Sequence, residues 1–100
     1  MHCLTVIYPQ PDDPAAFRDY YLKTHLPMAR KLPGLARATY AFPEAMGRGD
    51  APFCIFQAYF ADAAAMGAAL SSEQGAKVAA DVPNYSPKGV TLCNFAVSEA

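Results

Sequence analysis

One internal histidine, His25, lies in the stretch Phe17 to Leu35, FRDYYLKTHLPMARKLPGL, four residues after a tyrosine and two before a proline. Imidazole is the side chain whose ordinary pKa lies nearest neutrality, so it can move a proton to or from a carbon or oxygen acid without a metal. Helical spacing puts Phe17, Tyr21, His25, Met28 and Leu32 on one stripe, at steps of three and four. An imidazole among apolar side chains has two readings: a core group bonded to a neighbouring carbonyl, or a working group at a pocket wall. The residues alone leave both open. No acidic residue shares the stripe, and burial lowers an imidazole, so a neutral ring near pH 7 is expected. Pro27 cannot donate to the carbonyl of Lys23, crowds it, and disfavours the α conformation at Leu26. A bend, or a stop and restart, is therefore expected beside His25.

Tyr40 is the second candidate. It is in phase with Ala36, Ala38 and Phe42, and on the helix-facing side its hydroxyl could converge with His25; a core tyrosine with a wet tip is the plainer reading. Asn84 and Tyr85 fall in an irregular segment between Pro83 and Pro87, where a turn role also explains the asparagine. Cys3, Cys54 and Cys93 are odd in number and widely spaced in apolar runs, which does not suit a disulfide framework or a zinc site. Neither Cys54 nor Cys93 has a basic neighbour in sequence, so buried, inert thiols are expected. His2 and His25 lack metal-ligand spacing, and no metal is expected. No glycine-rich nucleotide fingerprint occurs, which leaves a nucleotide-dependent reductase without support.

The elements that must position these groups read clearly. His2 to Tyr8 is β-branched and aromatic and stops at Pro9, a first strand. Asp13 caps a helix with Pro14 at its first position; that helix carries Arg30 and Lys31 in its last turn and ends at Pro33-Gly34. Leu35 to Phe42 and Phe53 to Phe60 read as strands two and three, separated by a loop that holds Arg48, Gly49 and Asp50. Asp62 caps an alanine-rich helix, and Ser71 with Gln74 predicts a restart that runs through Val82. Val90 to Val97 is a fourth strand.

The order β-α-β-β-α-β predicts an α+β, ferredoxin-like plait over residues 1–100: one antiparallel sheet with both helices on one face. In the third strand Phe53, Ile55 and Tyr59 lie on one side, and Cys54, Phe56 and Phe60 on the other. A half-exposed strand would alternate apolar with polar, so the outer face is expected to meet a second copy under two-fold symmetry. Composition agrees. The chain has 100 residues, 53% of them hydrophobic and only 17% charged, more apolar surface than so small an interior can hold. A net charge of −1 and no basic run argue against nucleic acid and anionic membrane. No run approaches the ~18 apolar residues of a membrane span. The chain opens on a strand pattern without a basic n-region and apolar h-region, so a cytoplasmic location is expected.

The combination F-x-x-Y-Y-x-x-x-H-L-P-M-A-x-x-L-P-G-L from Phe17 to Leu35 resembles the signature of the EthD family, and D-V-P-N-Y from Asp81 to Tyr85 is similar to its second landmark. The resemblance spans the chain in length and element order. It implies the dimeric α+β barrel, two plaits packed sheet to sheet, and a family first met in ethyl tert-butyl ether degradation. Related barrels include muconolactone-type isomerases, polyketide cyclases, anthrone oxygenases and haem-dependent enzymes, so fold carries over more firmly than activity. The resemblance implies a functional role for His25 and places Asn84 and Tyr85 near a pocket mouth. Three functions are then in view. One is cofactor-free acid–base chemistry on a small, mostly apolar carbonyl, lactone or aromatic compound, with His25 and Tyr40 catalytic and Phe17, Tyr21, Met28, Asn84 and Tyr85 around the ligand. The second is an accessory protein that binds a hydrophobic metabolite without chemistry. The third is a haem enzyme with His25 as axial ligand.

Overall fold

Strand β1 (His2–Tyr8) lies near the centre of a four-stranded antiparallel sheet in the order β2-β3-β1-β4, where β2 is Arg37–Ala41, β3 is Cys54–Phe60 and β4 is Thr91–Ala96. The computed structural model describes residues 1–100. Hydrogen bonds continue one residue past the strand ends, from Ala36 N to Tyr59 O at 2.8 Å, Phe53 N to Tyr8 O at 2.9 Å and Val97 N to Met1 O at 2.9 Å. The broader strand limits read from the sequence and the shorter observed ones describe nearly the same pairing. The helices lie on one face: α1 (Pro14–Tyr20), a π-helical turn (Tyr21–His25), α2 (Leu26–Ala29), α3 (Ala63–Ser71), α4 (Glu73–Asp81) and a 3₁₀ turn (Val82–Asn84). The molecule is 18 Å through its thinnest axis, the thickness of one helical layer on one sheet. The expected plait is the observed fold. No helix is long and apolar enough to cross a membrane.

The caps explain where the helices begin. Asp13 accepts from Ala16 N at 3.1 Å and Asp62 from Ala65 N at 2.8 Å, each satisfying an orphan donor of a first turn. The restart between the later helices falls one residue beyond the expected place. α3 includes Ser71, and Ser72, with extended backbone, caps α4 by accepting from Gly75 N at 3.0 Å. Gln74 closes no capping box and donates instead to Met28 O at 2.9 Å, which ties α4 to α2.

Pro27 acts differently from the expectation. The helix neither stops nor leaves the α region: Leu26 has φ −57° and ψ −43°, and its N–H bonds back to Tyr21 O across a π-helical turn. One residue more per turn rephases the helix locally. Phe17, Tyr21, His25 and Leu32 are buried as predicted, but Leu26 and Ala29 are buried beside them, and Met28 is left half-buried at the margin.

The outer face of the sheet also differs from the sequence reading. Phe53 belongs to the core, its ring 4.9 Å from Phe17 and 5.4 Å from Phe42, because the chain enters β3 from the helix side. The register lays three rows across the outer face. Ala41, Ile55, Ile7 and Thr91 form one, Arg37, Tyr59, Cys3 and Phe95 another, and between them runs the polar row Thr39, Gln57, Thr5 and Cys93. Gln57 donates to Thr5 at 3.4 Å within that row. Apart from Thr91 and Arg37 on the edge strands, the face is two apolar bands about a polar seam, not an uninterrupted apolar surface. Cys3 and Cys54 are buried, whereas Cys93, expected to be buried, is exposed because it lies on edge strand β4.

Candidate functional site

His25 ends the π-helical turn and is only 3% exposed. Its Nδ1 lies 2.9 Å from Oδ2 of Asp81, the last residue of α4, itself 6% exposed. Asp81 Oδ1 accepts from the Tyr20 hydroxyl at 2.6 Å and from Asn84 Nδ2 at 3.0 Å. Burial works against the Asp81 carboxylate, but the bonds from Tyr20, His25 and Asn84 outweigh it and hold it below its ordinary range. An ionised carboxylate has no proton to give, so Nδ1 of His25 carries the hydrogen and donates. Burial lowers His25, against the upward pull of the Asp81 hydrogen bond and charge. The ring is therefore neutral near pH 7, with its lone pair on Nε2. That atom has no protein partner and is not sealed in.

The His25 ring belongs to the wall of a cavity of about 300 Å³ between the helices and the sheet. β1 supplies Leu4, Val6 and Tyr8, β3 supplies Phe56, and α4 with the following turn supplies Val78 and Val82. His25 and Tyr8 are the only lining side chains with a donor or acceptor, and no Lys, Arg, Asp or Glu lines it. Leu70, 44% exposed, and Leu92, 62% exposed, form apolar lips where the cavity meets solvent.

Aromatic rings hold the imidazole in place. Tyr21 stacks on it with centroids 5.6 Å apart and planes 18° apart, and Tyr85 lies 4.6 Å away. The Tyr85 hydroxyl is 2.7 Å from that of Tyr8. Burial pushes Tyr8 up to about 12 and drives Tyr21 and Tyr85 higher still, so all three phenols stay protonated at neutral pH. The Tyr21 hydroxyl is enclosed without any partner.

The sequence-predicted residues therefore separate into groups. His25, Tyr21 and Tyr85 come together, and Phe17 joins them by stacking on Tyr21 at 5.5 Å; it lines not the His25 cavity but a surface one, together with Asn84 and Tyr85. Asn84 anchors Asp81, and it shares with Tyr85 the wall of a second, surface cavity of about 320 Å³ next to Pro9 and Lys88. Tyr40 does point to the helix side, in register with Phe56, but it is 44% exposed and lines a separate cavity with Leu26 and Arg30. Met28 lines none of these three cavities.

Asp81, Tyr20 and Tyr8 were not among the expected site residues, although Asp81 opens the D-V-P-N-Y motif and Tyr20 lies in the F-x-x-Y-Y motif. Asp81 had a signal: an aspartate at the last residue of a helix opposes the helix dipole, so something else must hold it there. The expectation that no acid would meet His25 considered only its own helix; the carboxylate comes from a residue 56 positions away.

No group of three His, Cys, Asp or Glu side chains comes together in metal-binding geometry. As an axial haem ligand His25 fits poorly, since the cavity offers no cation for the propionates and Lys23, Arg30 and Lys31 are exposed.

A two-layer plait with a histidine–aspartate pair on an apolar cavity defines a small α+β protein of the ferredoxin-like class. The model of the EthD domain matches residues 10–88, and the chain belongs to the EthD family. An uncharacterised 11.0 kDa protein from the thcB–thcC intergenic region of Rhodococcus erythropolis is 33% identical over 93 residues, covering 92% of this chain and 90% of that one. The crystal structure of an EthD family protein from Bacillus halodurans superimposes with a TM-score of 0.91 at 26% identity, over 98% of this chain and 99% of that chain. SnoaB, a cofactor-independent oxygenase from Streptomyces nogalater, shares the fold at TM-score 0.64 and 18% identity, over 99% and 93% of the two chains.

Proposed function

We propose that this protein performs acid–base chemistry, without an organic cofactor or metal, on a small and mostly apolar carbonyl, lactone or aromatic compound. One observation carries the reading: Nδ1–H of a buried imidazole is held by an ionised carboxylate, while Nε2 bonds no protein atom and the ring lines an apolar cavity. Nε2 accepts a proton from the ligand. Asp81 fixes the tautomer and stabilises the imidazolium, which then returns the proton to the same or another atom. Isomerisation, cyclisation and decarboxylation each use such a step. The fold shared with a cofactor-independent oxygenase supports chemistry of this economy.

The test is deuterium uptake from heavy water into a panel of small acidic carbonyl compounds, lactones and phenol-like aromatics, followed by proton NMR. The native protein is expected to accelerate uptake into at least one compound by about a hundredfold or more over His25→Gln, the usual range for a positioned base. Ligands that bind without any accelerated exchange would make this an accessory binding protein, the reading favoured by the lean set of polar groups at the cavity.

The second part of the reading is a homodimer through the outer sheet faces, with residence in the cytoplasm. Ile7, Ile55 and Tyr59 are half-buried on that face and Phe95 is 43% exposed, and a two-fold partner would cover both apolar bands while matching polar seam to polar seam. Light scattering at micromolar concentration is expected to return twice the chain mass of 10.7 kDa. A clean monomer would refute the pairing.

A further inference from the structure

The chemistry of the cavity wall restricts what His25 can deprotonate, and so names a class of ligand; this rests on the proposed base role of Nε2. A proton taken by Nε2 leaves a negative charge on the ligand. Enzymes that form anions from weakly acidic ketones or thioesters place further donors, cations or metals where that charge develops. Here the lining has no Lys or Arg. The one other polar side chain, Tyr8, has its hydroxyl 2.7 Å from that of Tyr85. With the Tyr8 hydroxyl donating to Tyr85, the new Nε2–H is the single side-chain donor left to face the anion; with the bond reversed, one phenol O–H joins it, still without a positive charge. Nothing in the wall would pair a ligand that arrives already charged, and burying such an anion among Leu4, Val6, Phe56, Val78 and Val82 is costly.

We infer that the ligand is a neutral, flat weak acid whose conjugate base spreads its charge over its own conjugated framework: a phenol-type hydroxyl, or a C–H set between carbonyls or between a carbonyl and an aromatic ring. The delocalisation that the wall does not supply then comes with the ligand. Ligands that enter as carboxylates or phosphates are excluded by the same wall, which sets decarboxylation aside among the proposed reactions, and simple ketones are too weakly acidic for one imidazole. A cavity of about 300 Å³ is at the small end of ligand sites, suited to a compact ring system. The apolar lips Leu70 and Leu92 admit such a molecule without stripping charges from the protein.

Three probes of nearly one shape test this on the native protein in mildly acidic buffer: para-nitrophenol, para-nitroanisole and para-nitrobenzoate, with binding followed by absorbance and calorimetry. The phenol is expected to bind about tenfold tighter than its methyl ether, the worth of one good hydrogen bond, and the benzoate to show no saturable binding. In His25→Leu the ether is expected to bind as before while the preference for the phenol disappears. Equal affinity for phenol and ether, or benzoate binding as well as the phenol, would overturn the inference while leaving the cavity a ligand site. No saturation by any of the three would overturn the inference and, with it, the ligand-binding premise of the proposed function. The three-probe comparison on the native chain decides the matter even if the leucine variant does not fold.

Discussion

Gly75→Ala is expected to destabilise the fold by about 3 kcal/mol, the upper part of the range for overpacking a tight contact. A β-carbon at Gly75 would lie 2.6 Å from the carbonyl oxygen of Leu70 and closer still to that of Ala69. Both obstacles are backbone, at the last turn of α3, and neither can rotate aside. The contact exists because Ser72 turns the chain sharply and caps α4 through Gly75 N at 3.0 Å, folding the first turn of α4 back on the end of α3. Gly75 also lines the His25 cavity, so the strain would be felt at the site. Gly67, in α3, is the control, since a β-carbon there meets nothing within 4 Å. Gly67→Ala should stabilise by up to about 1 kcal/mol through helix propensity alone. In a domain of this size these changes correspond to a melting temperature lowered by roughly 15 °C and raised by about 5 °C. Thermal denaturation of the two variants checks the pair, and a Gly75→Ala protein as stable as the parent would show that the helices can part without cost.

That glycine also shows what the sequence could and could not disclose. Strand periodicity, the aspartate caps and the proline-glycine stops are local signals, written within a few residues, and they were sufficient for the order of the plait. Gly75 lies within a helical pattern where glycine is unfavourable, a sign of close approach that needs the neighbouring helix to be understood. Pro27 was legible as a disturbance but not in its form, because a π turn relieves the same clash that a bend would. On the sheet, Gln57 was the residue that should have divided the outer face: alternation from Ile55 to Tyr59 places it outward between them, and cross-strand register then aligns it with Thr5 and Thr39. The site was half legible. His25 announced itself by type and stripe, but its carboxylate comes from another helix, and no periodicity relates residues that meet only by tertiary packing.

Asp81 is where stability and proposed chemistry meet, and Asp81→Ala is expected to cost about 1–3 kcal/mol. The change leaves the buried Nδ1–H of His25 without its acceptor, an orphan that costs about 1–3 kcal/mol, while the half-buried Tyr20 hydroxyl can turn to water. Asp81→Asn separates the two roles. Its amide keeps one acceptor oxygen, which the Tyr20 hydroxyl can hold, and turns its NH₂ toward His25. Nδ1 must then accept, the ring proton moves to Nε2, and the cavity faces a donor in place of a base. This variant should fold with a smaller loss and still lose accelerated deuterium exchange; retained exchange would show that Asp81 does not set the tautomer. The pH dependence follows from the directions of the two shifts. His25 is held below its ordinary value, so as pH falls through about 6.5 the unfolded chain takes up a proton that the folded chain refuses, and stability declines. Asp81 is also held low; below about pH 4 the unfolded carboxyl protonates first, and a second decline begins. Above about pH 6.5 neither group contributes a slope. Urea midpoints measured from pH 8 down to pH 3 should show both declines in the parent. Asp81→Asn should keep the first and lose much of the second, whereas His25→Gln should lose the first. A parent midpoint that rises as pH falls from 7 to 5 would mean that the imidazole is charged in the folded state, and Nε2 would then face the cavity as an acid.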